Sequence, residues 1–169
     1  MGFKFKSKNA NKGKLFEQLI QNYNQMYREL GYGHVKRIED PGKIFNINGI
    51  NRIVKVKGTV DFLGALLGLP IALEAKECSE DIWPLRDLKP HQLNDLVGFD
   101  KGGSVSFVLL NWVKHSQVWA LPIKSIVNFH LENKRKSIAF KNGYREHGFQ
   151  YIGQLPDYLK FVRLYKKIY

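Results

Sequence analysis

Residues 58–77 read GTVDFLGALLGLPIALEAKE, and their reading decides the fold. Apolar residues dominate, with Leu67-Gly68 near the middle. That is the pattern of two strands, Thr59–Leu66 and Leu69–Lys76, joined around a turn. Asp61, Glu74 and Lys76 interrupt the apolar run. Charged side chains are seldom buried unless they are paired or bind a metal. Side chains alternate along a strand, so Glu74 and Lys76 share one face while Ile71, Leu73 and Ala75 take the other. Pairing of the two strands brings Asp61 within side-chain reach of Glu74. Two carboxylates that close repel until one takes up a proton or a cation neutralises them. A hard divalent cation such as Mg²⁺ does this with oxygen ligands. The bland alternative is a Glu–Lys surface pair on a strand, because an Asp…Glu-x-Lys spacing recurs by chance.

Outward from this hairpin the chain alternates helix and strand signals. On the amino-terminal side, Leu15, Phe16, Leu19, Ile20, Tyr23, Met26, Tyr27 and Leu30 recur at helical spacing, ended by Gly31 and Gly33. Residues 34–40 form a short strand. Residues 41–57, PGKIFNINGINRIVKVK, hold Asn48-Gly49 between two β-rich arms and predict a basic hairpin or stalk. The ordinary counterpart is an edge hairpin guarded by lysines. On the carboxyl side, Pro90 opens a helix with Leu93, Leu96 and Val97 on its apolar side, stopped by Lys101-Gly102-Gly103. Residues 104–113 and 117–123 predict strands, and 123–133 a short helix. The basic run 134–140 predicts a surface segment. Residues 155–169 predict a closing helix with Leu159, Val162 and Tyr165 inward. The order is that of an α/β or α+β fold with a mixed sheet. No repeat, low-complexity tract or clean domain boundary appears, so residues 1–12 read as a flexible basic arm and 13–169 as a single domain.

Composition narrows the function. The chain has 169 residues, 44% of them hydrophobic, enough for a folded core. No apolar run approaches the roughly 20 residues of a membrane span. The first residues are basic with no apolar core behind them, so no secretory signal is expected. Gly2 invites a myristoylation reading that Lys6 weakens. The lone cysteine, Cys78, suits a reducing cytoplasm and reads as a bystander. Net charge is +12 with a pI near 9.8, which attracts polyanions, meaning nucleic acid or an anionic membrane. A protein merely kept soluble by its charge is the plain alternative.

The spacing of Asp61, twelve residues, then Glu74-Ala75-Lys76 is the pattern of the PD-(D/E)xK nucleases. The wider sequence resembles the RecU-type Holliday-junction resolvases of Gram-positive bacteria and their phages. GTVDFLG, GLPIALEAKE, WPLRDLKPHQLNDL and GGSVSFVLLNW carry the likeness. Asn11-Lys12-Gly13 with Glu17 is similar to the family's opening of its first helix. The chain would be a compact version, as a phage would carry. The departures are Val60, where many members have threonine, Lys12, where they have arginine, and a shorter arm and stalk.

The resemblance implies a restriction-endonuclease-like mixed sheet flanked by helices, with a protruding basic hairpin. It implies a metal-dependent endonuclease that cuts four-way DNA junctions symmetrically in recombination and repair. It further implies a homodimer with two active sites, a recombinase partner, and Mg²⁺ with Mn²⁺ able to substitute. By position, Asp61 and Glu74 match the metal-binding carboxylates and Lys76 the catalytic lysine. Gln92 matches a glutamine near the site. Glu17 matches an acidic residue of the first helix that reaches a metal through water, although the helical wheel equally suits a solvated or capping role. The charge clusters supply phosphate contacts: Lys12 and Lys14; Arg52, Lys55 and Lys57 on the stalk; and Lys134, Arg135 and Lys136. Competing readings are a duplex DNA endonuclease of the same fold and an architectural DNA-binding protein without activity.

Overall fold

The computed structural model describes residues 12–39, 42–47, 50–55, 58–141 and 147–168. Most of the arm and the Asn48-Gly49 turn therefore lie outside the described residues, as does Lys57. Helix α1 (Lys12–Glu29) leads into β1 (Gly33–Arg37), the hairpin β2 (Gly42–Ile47) and β3 (Ile50–Lys55), then β4 (Phe62–Leu66) and β5 (Leu69–Cys78). Strand β6 (Ile82–Pro84) precedes α2 (Pro90–Lys101), β7 (Val105–Trp112), β8 (Gln117–Pro122) and α3 (Ile123–Asn133). The chain ends with β9 (Ser137–Ala139), β10 (Gln150–Gly153) and α4 (Leu159–Ile168).

The main sheet has six strands in the order β1-β4-β5-β7-β8-β10. Only β5 and β7 run parallel, and the other neighbours are antiparallel. A parallel neighbour needs a crossover, and α2 supplies it. The β4–β5 turn is Leu67-Gly68, with φ of 55° and 80°, left-handed at both positions as a two-residue hairpin of right-twisted strands requires. Alternation along the central strands sends Ile71, Leu73, Phe107 and Leu109 to one face, where Phe16, Ile20 and Tyr27 of α1 and Phe161 and Val162 of α4 cover them. Ala72, Val108, Leu110 and Trp112 face the other way, under Leu96 of α2 and Ile126 and Phe129 of α3. The architecture is the expected mixed sheet with helices on both faces.

Three details differ from the sequence reading. The basic run 134–140 contains β9, which pairs with β6, and Ile138 is fully buried beside Trp83. The last helix begins at Leu159, after a non-helical Pro156–Tyr158. Helix α1 has apolar residues on two sides: Phe16, Ile20 and Tyr27 are buried, whereas Leu15, Leu19, Met26 and Leu30 are exposed. The stalk region forms the expected hairpin across β2 and β3, with Phe45 opposite Arg52 and Gly42 opposite Lys55. Among the described residues no helix is long and apolar enough to cross a membrane.

Candidate active site

Strand β4 starts at Phe62, paired with Leu73. Beyond Leu73 the β4-side edge of β5 has no strand partner among the described residues, while β7 continues along its other edge to Cys78. Asp61 stands in this gap, one residue before β4. Its main-chain oxygen accepts from Ile38 N at 2.7 Å. Its Oδ2 accepts from Ala75 N at 2.8 Å. Asp61 thus takes the place of the missing strand, its main chain held by Ile38 and its carboxylate by β5. The same register puts Asp61 next to Glu74.

Glu74 is 1% exposed, the deepest charged side chain among the described residues. Its Oε1 accepts from Lys76 Nζ at 2.7 Å and from Gln92 Nε2. Its Oε2 is buried and accepts no hydrogen bond among the described residues. Burial first, then the Asp61 charge, pushes the Glu74 carboxyl up to about 8, with Lys76 acting in the opposite direction. Lys76 also donates to Gln92 Oε1 at 3.1 Å. That same oxygen accepts from Lys89 N at 3.1 Å, tying the entrance of α2 to the site. Gln92 is the third residue of α2, so its side chain folds back over the first turn. Lys76, Glu74 and Gln92 therefore form one hydrogen-bonded unit built from β5 and α2.

The structure brings Asp61, Glu74, Lys76 and Gln92 together. Glu17 is engaged elsewhere: Arg37 of β1 donates to its Oε2 from Nε at 2.8 Å and approaches it with Nη2 at 2.7 Å. Among the described residues no group of three or more His, Cys, Asp and Glu side chains is arranged to hold a metal ion. Two carboxylates still offer the oxygen ligands that a hard cation takes. The oxygen left over on Glu74 and the mutual repulsion of the two acids are what such an ion relieves. Lys12 and Lys14 lie in the first turn of α1, and Arg52 and Lys55 on β3. Lys134, Arg135 and Lys136 are exposed between α3 and β9. Sequence reasoning missed the Arg37 partner of Glu17 and the Lys89 main-chain contact of Gln92. The second had a signal, a glutamine three residues into a helix start, and the first had none.

Two acids and a lysine thus gather at the part of β5 beyond Leu73, in a strongly basic α/β body. The lineage is more particular. The family model for Recombination protein U (RecU) matches residues 11–167, and the chain belongs to that family. It is similar to the Holliday junction resolvase RecU of Streptococcus pneumoniae strain Taiwan19F-14, 28% identical over 168 residues, covering 91% of this chain and 84% of the relative. The strain P1031 protein of the same name is 25% identical over 166 residues with the same coverage. The Holliday junction resolvase RecU of Ureaplasma parvum serovar 3 is 26% identical over 88 residues, 52% of either chain. Among solved structures, the Holliday junction resolvase Hjc of Archaeoglobus fulgidus aligns with a TM-score of 0.45 at 17% identity, over 68% of this chain and 75% of that one.

Proposed function

We propose that this chain resolves four-way DNA junctions by paired symmetric nicks, with Asp61, Glu74 and Lys76 as its catalytic set. The observation that carries this reading is the opposed pair Asp61 and Glu74, with a buried Glu74 oxygen that accepts no hydrogen bond and Lys76 clamped alongside. Asp61 and Glu74 would hold Mg²⁺, with Mn²⁺ as a substitute. When bound, such an ion lowers the pKa of its water and stabilises charge at the reacting phosphate. Asp61 faces Glu74 from a position fixed by Ala75 N and Ile38 N. Lys76 carries a positive charge beside that pair, suited to the growing charge of the cleaved phosphate. Gln92 holds the lysine and Glu74 in register. Glu17 enters through water only, because its Oε2 is committed to Arg37.

Paired nicks need two sites, so the active form is a homodimer whose two-fold axis matches that of the junction. The β2–β3 hairpin supplies Arg52 and Lys55 near the junction centre, and Lys57, outside the described residues, follows them in the sequence. Lys12 with Lys14, and Lys134 to Lys136, meet phosphates of the arms. A recombinase partner belongs to the same reading through the family likeness.

The test incubates the purified protein with a labelled four-way junction and a matching linear duplex, with Mg²⁺ or EDTA, beside Asp61→Asn. Metal-dependent paired nicks in the junction alone are expected. Asp61→Asn should lose cleavage about 100-fold or more while keeping junction affinity. Cleavage of both substrates would make the protein a duplex endonuclease. Binding without any cut would make it architectural.

A further inference from the structure

On the α1–β1 surface a polar cleft of about 170 Å³ opens between Gln21, Asn24 and Arg28 of the helix and His34 and Lys36 of the strand. Positions 21, 24 and 28 share one helical face, whereas His34 and Lys36 lie on the strand face opposite Val35, which packs under α1, and border the cleft from the outer edge of β1. Asn24 forms the floor. It is 5% exposed, and its Oδ1 accepts a 2.6 Å hydrogen bond from the Tyr158 hydroxyl. That contact occupies the oxygen side of the amide. The Nδ2 group is left buried with no hydrogen-bond partner among the described residues. A buried donor without an acceptor is costly, and the native state retains few of them.

The walls of the cleft are cationic. Arg28 and Lys36 form no ion pair among the described residues. Partial desolvation, then the charges of Arg28 and Lys36, hold the His34 imidazole below its ordinary pKa, as expected where positive potential accumulates. The carboxylates at the margin are engaged, Glu17 by Arg37 and Glu29 by Gln25. Buried donor, free guanidinium and free ammonium together describe a receptor for a small oxyanion. The cleft also leads to the catalytic edge. Lys36 is two residues before Ile38, whose N–H holds the Asp61 main chain, about 7 Å along a strand.

We propose that this cleft is a phosphate subsite for the DNA substrate, with Asn24 Nδ2, Arg28 and Lys36 as donors to one backbone phosphodiester near the cleavage point. The source of the phosphate rests on the junction-resolvase reading; the donor chemistry does not. The subsite grips the strand and fixes its position on β1 without reading its sequence.

Two measurements test it. Fluorescence anisotropy of a labelled four-way junction, taken across a salt series, compares wild type with Arg28→Gln/Lys36→Gln. The variant should bind about 10-fold more weakly at low salt, and the slope of log affinity against log salt should flatten by about one. In ¹⁵N-labelled protein the Asn24 side-chain amide, assigned by its loss in Asn24→Asp, should shift on adding junction DNA. Asn24→Asp keeps an oxygen for Tyr158 and puts a carboxylate where the phosphate would sit, so it too should weaken binding. If Asn24→Asp fails to fold, the double variant, which changes exposed side chains only, still decides. Unchanged affinity and slope in that variant overturn the subsite while leaving the junction reading intact. If wild type binds no DNA, both fall as written. An Asn24 shift with inorganic phosphate alone would then identify a free-phosphate site instead.

Discussion

Glu74 is a carboxyl in a place hostile to charge, and stability should record it. Its folded pKa stands near 8 against an ordinary 4.5. Between those values the folded state keeps a proton that the unfolded chain has released, so stability falls as pH rises across that window. In EDTA the melting temperature should decline from pH 5 to pH 8 and level off above. Glu74→Gln should flatten this decline and gain roughly 1–3 kcal/mol at pH 8. Superimposable melting curves for the two proteins would show that Glu74 is not the group responsible. Gln92 acts through others: it steadies Lys76 and Glu74 and closes the first turn of α2. Gln92→Ala should cost about 1 kcal/mol of stability and 10–100-fold in cleavage rate. Thermal melts and single-turnover rates check the two losses separately. The acid pair and the lysine were legible because strand alternation and one turn fix their relation. Gln92 came only through family likeness. The Glu17–Arg37 pair was hidden because the helix-to-strand packing that creates it has no local signature.

At the scale of elements, β1 lies so close to β4 that two positions, Gly33 and Gly64, tolerate no side chain. A Cβ on Gly64 would collide with the His34 carbonyl oxygen and stand 2.6 Å from Val35 Cα, both main-chain atoms. Gly64→Ala should therefore destabilise the protein by roughly 1–3 kcal/mol, seen as a lower midpoint in urea. Because β1 also holds Asp61 through Ile38 N, cleavage should fall further than the stability loss explains. Long apolar elements were readable within a residue or two: β5, β7, β8 and α3 carry strong periodicity. The paired strands β6 and β9 were not, since three residues give no alternation to detect and their pairing spans distant sequence. The apolar positions of α1 were visible, but which of them face the sheet is set by packing.

At the scale of the molecule, a net charge of +12 should dominate association with DNA. With about six to ten phosphate contacts, junction affinity should fall by about 10³–10⁵ between 50 and 200 mM salt. A titration series by gel shift or anisotropy measures this, and a flat response would remove the electrostatic account. Charge and class were readable from composition, whereas the sheet order and the phosphate cleft depend on contacts between distant segments. The two-residue turn at Leu67-Gly68 has a kinetic consequence. It places Asp61 and Glu74 in one hairpin, so their meeting needs only a short loop to close, an event of about 1–10 μs. Gln92 reaches them only after the chain has crossed over through α2 to lay β7 beside β5, a slower, non-local step. The repelling acids are thus assembled before the clamp that orders them. Early in folding the two acids face each other in a lone hairpin, and completing the crossover is the event that brings Gln92 to them.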